Sequence, residues 1–229
     1  MNERDIFVIV IVVTVVLFFL LGALAAALLG VIAAPAFVIA WLNTLFGATP
    51  KVFWYISRMS GLVAYFLVWL SVVLGLSVTN KLARLWPGGP AVVDLHQFTS
   101  LLALSFVAVH VAVLLGDQYI GYNLTQLLVP FASAEYRPFW VGLGQLAAYL
   151  AIPVSFTFYI RQRIGYRTWR TIHYGTFVLY VLVTIHSLMS GTDTQNPLML
   201  LMYGVTSLTV LGMLIYRVRV ASLSPRRAA

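Results

Sequence analysis

The sequence predicts an all-α integral membrane protein, a six-transmembrane-helix bundle with both termini in the cytoplasm. Of the 229 residues, 62% are hydrophobic and only 9% are charged, and the mean hydropathy is +0.96, far above that of soluble globular domains. Six apolar segments each reach the roughly 20 residues that a transmembrane helix needs. Lysine and arginine are concentrated on one side of these segments, as expected for cytoplasmic loops.

The six predicted spans cover residues 6–31, 52–78, 92–115, 139–160, 168–190 and 198–216. Residues 33–50 are apolar but broken by Pro35 and Gly47, so we expect an interfacial or re-entrant helix there, or a kinked extension of the first span. A cleavable signal peptide is the alternative for the first segment. Signal peptides have a shorter apolar core and a basic leader, whereas Arg4 lies between two acidic residues. The whole chain, residues 1–229, is expected to be one transmembrane domain.

The orientation follows from the positive charges. Eleven of them lie on the predicted cytoplasmic side: Arg4, Lys81, Arg84, Arg161, Arg163, Arg167, Arg170, Arg217, Arg219, Arg226 and Arg227. Only Lys51, Arg58 and Arg137 lie on the other side. The net charge of +8 therefore indicates membrane topology and not nucleic-acid binding. The partner surface is the lipid bilayer, and the expected location is a bacterial cytoplasmic (inner) membrane. The absence of cysteine excludes disulfides and cysteine-ligated clusters within this chain.

All four histidines lie in the third and fifth predicted spans. His96 and His173 are about one turn from the cytoplasmic start of their spans, and His110 and His186 are about 18 residues in. Because these spans run in the same direction, the side chains form two levels, each with one imidazole from each helix. At 1.5 Å per residue the levels are roughly 20 Å apart.

Two facing imidazoles at one depth are the ligand set of a six-coordinate haem b, whose iron takes a neutral nitrogen on each side of the porphyrin. Two levels predict a di-haem core between the third and fifth spans, with all four histidines as iron ligands. A lone histidine in a membrane helix is a hydrogen-bonded structural residue at least as often as it is a functional one. Four histidines matched in depth favour a functional site. One transition-metal ion is not favoured, since the levels are too far apart and the span cores hold no acidic residue.

The spacing on the fifth span departs from ideal helix geometry. Fourteen residues bring His110 to within about 40° of His96 around an ideal helix. The thirteen residues from His173 to His186 leave them about 140° apart. We therefore expect a rotation of the helix, a local π-bulge, or ligands that approach from different sides of the helix.

Three stretches resemble the ferric-reductase-like transmembrane domain. They are the third span, DLHQFTSLLALSFVAVHVAVLL (Asp94–Leu115), the stretch RQRIGYRTWRTIHYGTFVLYVLVTIHSLMSGTD (Arg161–Asp193), and the second span, with an Arg-x-x-Gly-x-x-Ala opening at Arg58. That family is a six-helix di-haem unit shared by ferric reductases, NADPH oxidases and bacterial YedZ-type haem subunits of methionine sulfoxide reductase systems. The histidine spacings match the NADPH oxidase pattern. The resemblance covers roughly Phe53 to Asp193.

The resemblance implies transmembrane electron transfer through two bis-histidine haems b. His96 with His173 would bind the inner haem, and His110 with His186 the outer one. Electrons would come from a cytoplasmic or quinol donor and leave to ferric iron, oxygen or a periplasmic redox protein at the outer face. Ferric reductases and NADPH oxidases carry a module for FAD and NADPH, but this sequence contains no glycine-rich dinucleotide fingerprint. A separate reductase, with any flavin supplied by that partner, is therefore expected.

Three alternatives stay open at this point. The chain could be a non-catalytic haem b anchor subunit of a larger redox complex, which would copurify with a partner and show no activity alone. It could bind one haem and one flavin, as a YedZ-like protein. It could also be a haem-free transporter or assembly factor, although such proteins usually keep carboxylates or broken helices at the membrane midplane.

Two arginines are candidate cofactor-binding residues. Arg58 lies near the outer start of the second span, where it is expected either to pair with a haem propionate or anionic acceptor, or only to extend to the interface. Arg170 lies at the rim of the predicted inner haem, with three further arginines: Arg161, Arg163 and Arg167. Most of these are topology signals, and one or two are expected to bind propionates or dock an acidic partner or a flavin phosphate. Trp140 and Trp169 are expected to be interfacial anchors.

Overall fold

The structure is a computed structural model that describes residues 52–82, 88–117, 120–134 and 136–223. Within these ranges every regular element is helical. The α-helices are α1 (Val52–Thr79), α2 (Gly89–Val113), α3 (Leu124–Leu128), α4 (Pro138–Phe156), α5 (Arg161–Ile164), α6 (Tyr166–His173), α7 (Gly175–Ser190) and α8 (Pro197–Leu223). A 3₁₀ turn, Leu114–Gly116, continues α2.

Five segments of the described chain are long and apolar enough to cross a membrane. They are Val52–Thr79, Gly89–Gly116, Pro138–Phe156, Tyr166–Ser190 and Pro197–Val220. The second to sixth predicted spans are confirmed as such helices, and the protein is a multi-pass integral membrane protein. The first predicted span and the segment 33–50 lie outside the described residues, so the count of six and the orientation stay predictions.

The fourth predicted span ends at Phe156 and not at residue 160. Pro153 lies in its last turn and has no N–H for a helical hydrogen bond. The backbone N–H and the side-chain hydroxyl of Thr157 both donate to the Pro153 carbonyl, at 3.1 Å and 2.6 Å, in this last turn. The chain then turns into the short α5, and Gly165 connects α5 to α6. The φ angle of Gly165 is 84°, a value that glycine adopts without a Cβ clash.

The fifth predicted span is two helices, α6 and α7, joined at Tyr174. The N–H of Phe177 donates to the carbonyl of Tyr174 at 3.2 Å, an i to i+3 bond of 3₁₀ type. A 3₁₀ turn has 3.0 residues per turn and so advances about 20° more per residue than an α-helix. Three such residues would reduce the angle between His173 and His186 from about 140° to about 80°. A 3₁₀-type tightening at Tyr174 therefore accounts for part of the expected deviation.

Helix α1 is central to the described bundle. It packs most extensively against α2 and also contacts α7 and α8, while α4 packs against α7. A buried apolar cluster of Val72, Leu76, Tyr180 and Val210 joins α1, α7 and α8. These contacts place the histidine-bearing faces of α2 and α7 beside α1 and α4.

A tyrosine on α1 anchors the same three helices by polar contacts. Tyr65 is only 1% exposed, and its hydroxyl lies 2.7 Å from Oγ1 of Thr206 on α8 and 3.4 Å from the hydroxyl of Tyr180 on α7. Its ring also packs edge-on against Tyr203. By contrast, Leu201 and Leu208 on the outward face of α8 are 62% and 69% exposed, as expected for side chains that face lipid.

Candidate functional site

The structure brings the four histidines together in two pairs. His96 on α2 faces His173 at the end of α6, with ring centroids 6.0 Å apart and ring planes crossed at 86°. His110 on α2 faces His186 on α7, with centroids 6.4 Å apart and planes crossed at 79°. We call them the His96 pair and the His110 pair. Fourteen residues of α2 separate them by about 21 Å along the helix axis.

The separation within each pair suits axial ligation of one metal atom. With metal–imidazole bonds of about 2.0–2.1 Å and each nitrogen about 1.1 Å from its ring centroid, two opposed imidazoles place their centroids about 6.2–6.4 Å apart. The observed value of 6.4 Å for the His110 pair lies within that range, and the value of 6.0 Å for the His96 pair lies just below it. In the described ranges no three His, Cys, Asp or Glu side chains lie together. Each pair would therefore supply two protein ligands of this kind, and any further ligands of a metal held there would have to come from elsewhere.

Hydrogen bonds to Nδ1 define the tautomer of three imidazoles. Three backbone carbonyls accept from an Nδ1 atom: Ser71 from His96 at 2.8 Å, Ser57 from His110 at 2.7 Å, and Trp140 from His186 at 2.9 Å. A carbonyl oxygen only accepts hydrogen bonds, so the proton must be on Nδ1. In the neutral ring Nε2 then keeps its lone pair, which is the state of a metal-ligating histidine whose other nitrogen is held by an acceptor.

Two serine side chains add to these contacts. The hydroxyl oxygen of Ser57 lies 3.2 Å from Nδ1 of His110, and that of Ser71 lies 3.1 Å from Nδ1 of His96. The Ser71 hydroxyl also lies 2.6 Å from that of Ser100. Both Ser57 and Ser71 are buried, so each provides a second acceptor for the same N–H.

His173 is held differently from the other three histidines. Its Nδ1 is buried and makes no hydrogen bond of normal geometry in the described part of the chain, although the Val154 carbonyl lies beside it. The ring instead stacks on Trp169, with centroids 5.3 Å apart and planes at 26°. Trp169, expected to be an interfacial anchor, thus supports a histidine, and its own buried Nε1 also makes no hydrogen bond within the described ranges.

Three glycines lie directly against the imidazoles. A methyl group added at each would approach a ring atom: 2.9 Å from Nδ1 of His110 at Gly61, 3.2 Å from Cε1 of His96 at Gly75, and 2.5 Å from Nδ1 of His186 at Gly144. Real Cβ contacts are almost never below 3.0 Å. Any larger residue at Gly61 or Gly144 would therefore displace the ring.

The two candidate arginines have protein partners in the structure. Arg58 forms an ion pair with Asp193, and its guanidinium lies 4.8 Å from the ring centroid of Trp54. Arg170 donates to the hydroxyls of Tyr166 and Tyr174, at 3.0 Å and 2.9 Å. Cofactor binding by Arg58 and Arg170 stays a prediction.

A family model described as ferric reductase like transmembrane component matches residues 60–184, more than half of the chain. The chain belongs to this family. The ferric reductase-like match includes His96, His110 and His173 and ends two residues before His186. No curated protein and no solved structure matches the chain.

Several residues around this ferric reductase-like histidine arrangement were not singled out from the sequence. They are Ser57, Ser71, Gly75 and Gly144, together with the carbonyl of Trp140. One signal was present: α1 contains Ser-x-x-x-Gly twice, with the copies fourteen residues apart, the same spacing as the two histidines of α2. Because antiparallel neighbouring helices rise equally per residue, equal spacings on two helices indicate two repeated contacts between them.

Proposed function

We propose that the protein is a membrane cytochrome b that carries electrons across the bilayer through two haems b, one held by each histidine pair. The observation that carries this proposal is the close approach of two imidazoles from different helices at each level, with centroids 6.0 Å and 6.4 Å apart. Membership in the ferric reductase-like family supports a membrane redox function. The haem would supply the one-electron chemistry, with a potential set by its axial ligands, hydrogen bonding and burial.

In this proposal the chain's own residues would bind the haems, orient the ligating histidines and insulate both from water. The carbonyls of Ser57, Ser71 and Trp140 hold three Nδ1 protons and so direct Nε2 toward the space within each pair. The helices around the pairs are apolar, which excludes water and the side reactions that it would allow. The roughly 20 Å between the levels would be the spacing between the two iron atoms, and the gap between the porphyrin edges would be shorter, which would make stepwise transfer feasible.

The proposed direction runs from the cytoplasmic face to the outer face. Arg167 and Arg170 lie on α6 within two turns of His173, and all three are on the side predicted to be cytoplasmic by the positive charges. A basic face at this end would attract an acidic reductase or the phosphate of its flavin. We propose a separate cytoplasmic flavin reductase or a quinol as the donor, and an acceptor at the outer face near the His110 pair.

Haem quantification on the purified full chain tests the proposal. The pyridine haemochrome should give two haems b per wild-type chain, with a reduced-minus-oxidised visible spectrum typical of bis-histidine ligation. His110→Ala and His186→Ala should each give about one haem, since each removes one ligand of the same pair. One haem with one flavin in the wild type would favour the YedZ-like alternative. No haem after expression with sufficient haem supply would overturn the proposal.

A further inference from the structure

The three hydrogen-bonded histidines share one local arrangement. In each case the accepting carbonyl and the glycine under the ring belong to one helix, and the glycine follows the carbonyl residue by four positions. The sets are Ser57 with Gly61 around His110, Ser71 with Gly75 around His96, and Trp140 with Gly144 around His186. We call each carbonyl and its glycine a histidine seat. Two seats are on α1 and one is on α4.

The spacing of four has a physical reason. In an α-helix, a side chain leans back over the preceding turn, so the side chain of residue i+4 stands over the carbonyl of residue i. That carbonyl already accepts the N–H of residue i+4 and has a second lone pair. With glycine at i+4, the second lone pair is open to a side chain from a neighbouring helix. An imidazole can then lie flat on the glycine and donate Nδ1–H to the carbonyl.

His173 shows the arrangement that results without a seat. The carbonyl beside its ring belongs to Val154, and the residue four positions later is Phe158. Phe158 lies in the turn that follows the end of α4 at Phe156, so neither the glycine nor the helical geometry is present. Within the described ranges, Nδ1 of His173 correspondingly makes no hydrogen bond of normal geometry.

We propose that Gly61, Gly75 and Gly144 are positioning residues for haem ligation: each uncovers the carbonyl that orients its histidine and thereby sets the plane of that imidazole. This inference rests on the haem ligation proposed above. The planes within each pair are crossed at 86° and 79°. In the His110 pair both planes are set by seats, and in the His96 pair only one is.

The crossing angle has a spectroscopic consequence. Crossed axial imidazoles would each interact with a different one of the two iron dπ orbitals and leave these orbitals nearly equal in energy. Parallel imidazoles would both interact with the same orbital and would split the pair. A ferric low-spin haem with crossed ligands therefore gives a highly anisotropic electron paramagnetic resonance (EPR) signal, with one prominent low-field feature. Parallel ligands give a rhombic signal with three resolved features. A change in ring orientation moves the signal even where the haem stays bound.

A graded alanine series tests the seats. The ring contacts of an added methyl group, 2.5 Å at Gly144, 2.9 Å at Gly61 and 3.2 Å at Gly75, predict effects that decrease in that order. Gly144→Ala and Gly61→Ala should lose the haem of the His110 pair or convert its EPR signal toward the rhombic type, while the haem of the His96 pair is retained. Gly75→Ala should retain both haems, with a small shift confined to the His96 pair.

Two glycines of α8 provide matched controls. At Gly204 and Gly212 an added methyl group has no heavy atom within 4 Å, so Gly204→Ala and Gly212→Ala should keep wild-type haem content and EPR spectra. Variants lacking one pair, His96→Ala and His110→Ala, assign each EPR signal to its level.

The outcomes separate this inference from the proposed function. A wild type without haem overturns the function itself. A wild type with two haems, combined with Gly144→Ala and Gly61→Ala proteins whose haem content and EPR spectra equal those of the controls, leaves the function standing and overturns the seats. If Gly144→Ala aggregates and loses both haems, Gly61→Ala decides, because the methyl group there intrudes less. A Gly61→Ala protein with an unchanged signal from the His110 pair would refute the proposal.

Discussion

Removal of a single ligand should have unequal consequences at the two pairs. His186→Gly and His173→Gly each leave a hole that free imidazole can enter to restore the sixth ligand. In the His186→Gly protein the Trp140 carbonyl, which accepts from Nδ1 at 2.9 Å in the wild type, remains available for the N–H of the added imidazole. In the His173→Gly protein the described residues offer no such acceptor of normal geometry, since Nδ1 of His173 makes no hydrogen bond of normal geometry among them.

The expected difference is the net value of one hydrogen bond. That value is about 0.5–1.5 kcal/mol, and each 1.4 kcal/mol is tenfold in affinity, so imidazole should bind about 2- to 12-fold more tightly to His186→Gly than to His173→Gly. Visible-spectrum titrations of the two purified ferric variants with imidazole give both dissociation constants directly.

A methylated ligand provides the control for this comparison. 1-Methylimidazole coordinates iron through the same kind of nitrogen but has no N–H to donate. With this ligand the advantage of the His186→Gly protein should disappear or reverse, because a methyl group faces the Trp140 carbonyl. Equal imidazole affinities in the two variants, or an advantage that persists with 1-methylimidazole, would refute the assignment of that carbonyl as the orienting acceptor.

Three further predictions concern the surroundings of the pairs. Tyr65→Phe removes the hydroxyl that lies 2.7 Å from Thr206 and should lower the free energy of unfolding by about 0.6 kcal/mol, the mean for hydrogen bonds between membrane helices. Thermal unfolding in detergent measures this loss, and an unchanged unfolding midpoint would mean that the hydroxyl has an equal alternative partner. The free energy of unfolding should fall by a similar amount, below about 1 kcal/mol for a partly exposed ion pair, in Arg58→Ala, Asp193→Asn and the double variant. A larger loss of haem from Arg58→Ala than from Asp193→Asn would instead assign Arg58 to a haem propionate. Arg167→Gln should slow reduction by an acidic flavodoxin-like donor more at low than at high ionic strength, and a salt-independent rate in the wild type would argue against a basic docking face.

The membrane spans could be predicted because they depend on a single property along the chain. A run of about 20 apolar residues has few alternatives to a transmembrane helix, and the starts of α1 and α4 agree with the prediction to within a residue. The end of α4 at Phe156 was missed. Apolar composition continues past that residue and gives no signal of the turn.

The pairing of the histidines could also be anticipated, because depth in a membrane follows from position along a helix. The orientation of the histidines around the helix could not be anticipated, since it depends in part on the tightening at Tyr174. The acceptors of Nδ1 were hidden for a different reason: Ser57 and Trp140 contribute backbone carbonyls, which every residue has. Only the helix packing determines which of them faces an imidazole, although the repeated Ser-x-x-x-Gly of α1 gave a partial signal.

The partners of Arg58 and Arg170 illustrate the same distinction. Both were predicted to bind an anionic group, which is what a guanidinium near a membrane interface favours. The structure gives Arg58 a carboxylate, Asp193, in the loop between α7 and α8. It gives Arg170 the hydroxyls of two tyrosines, each four residues from Arg170 along the chain. Residue type indicated the class of partner for Arg58, and only the fold identified it.

Electron transfer across a sealed membrane tests the central claim most directly. The full chain is reconstituted with haem into liposomes that contain trapped ferricyanide, and dithionite is added outside while the trapped ferricyanide is followed by its absorbance. The wild type should reduce the trapped acceptor, and His96→Ala and His110→Ala, which each lack one level, should reduce it no faster than protein-free liposomes. A wild type that binds two haems but leaves the trapped ferricyanide oxidised, or a single-level variant that matches the wild-type rate, would contradict the account.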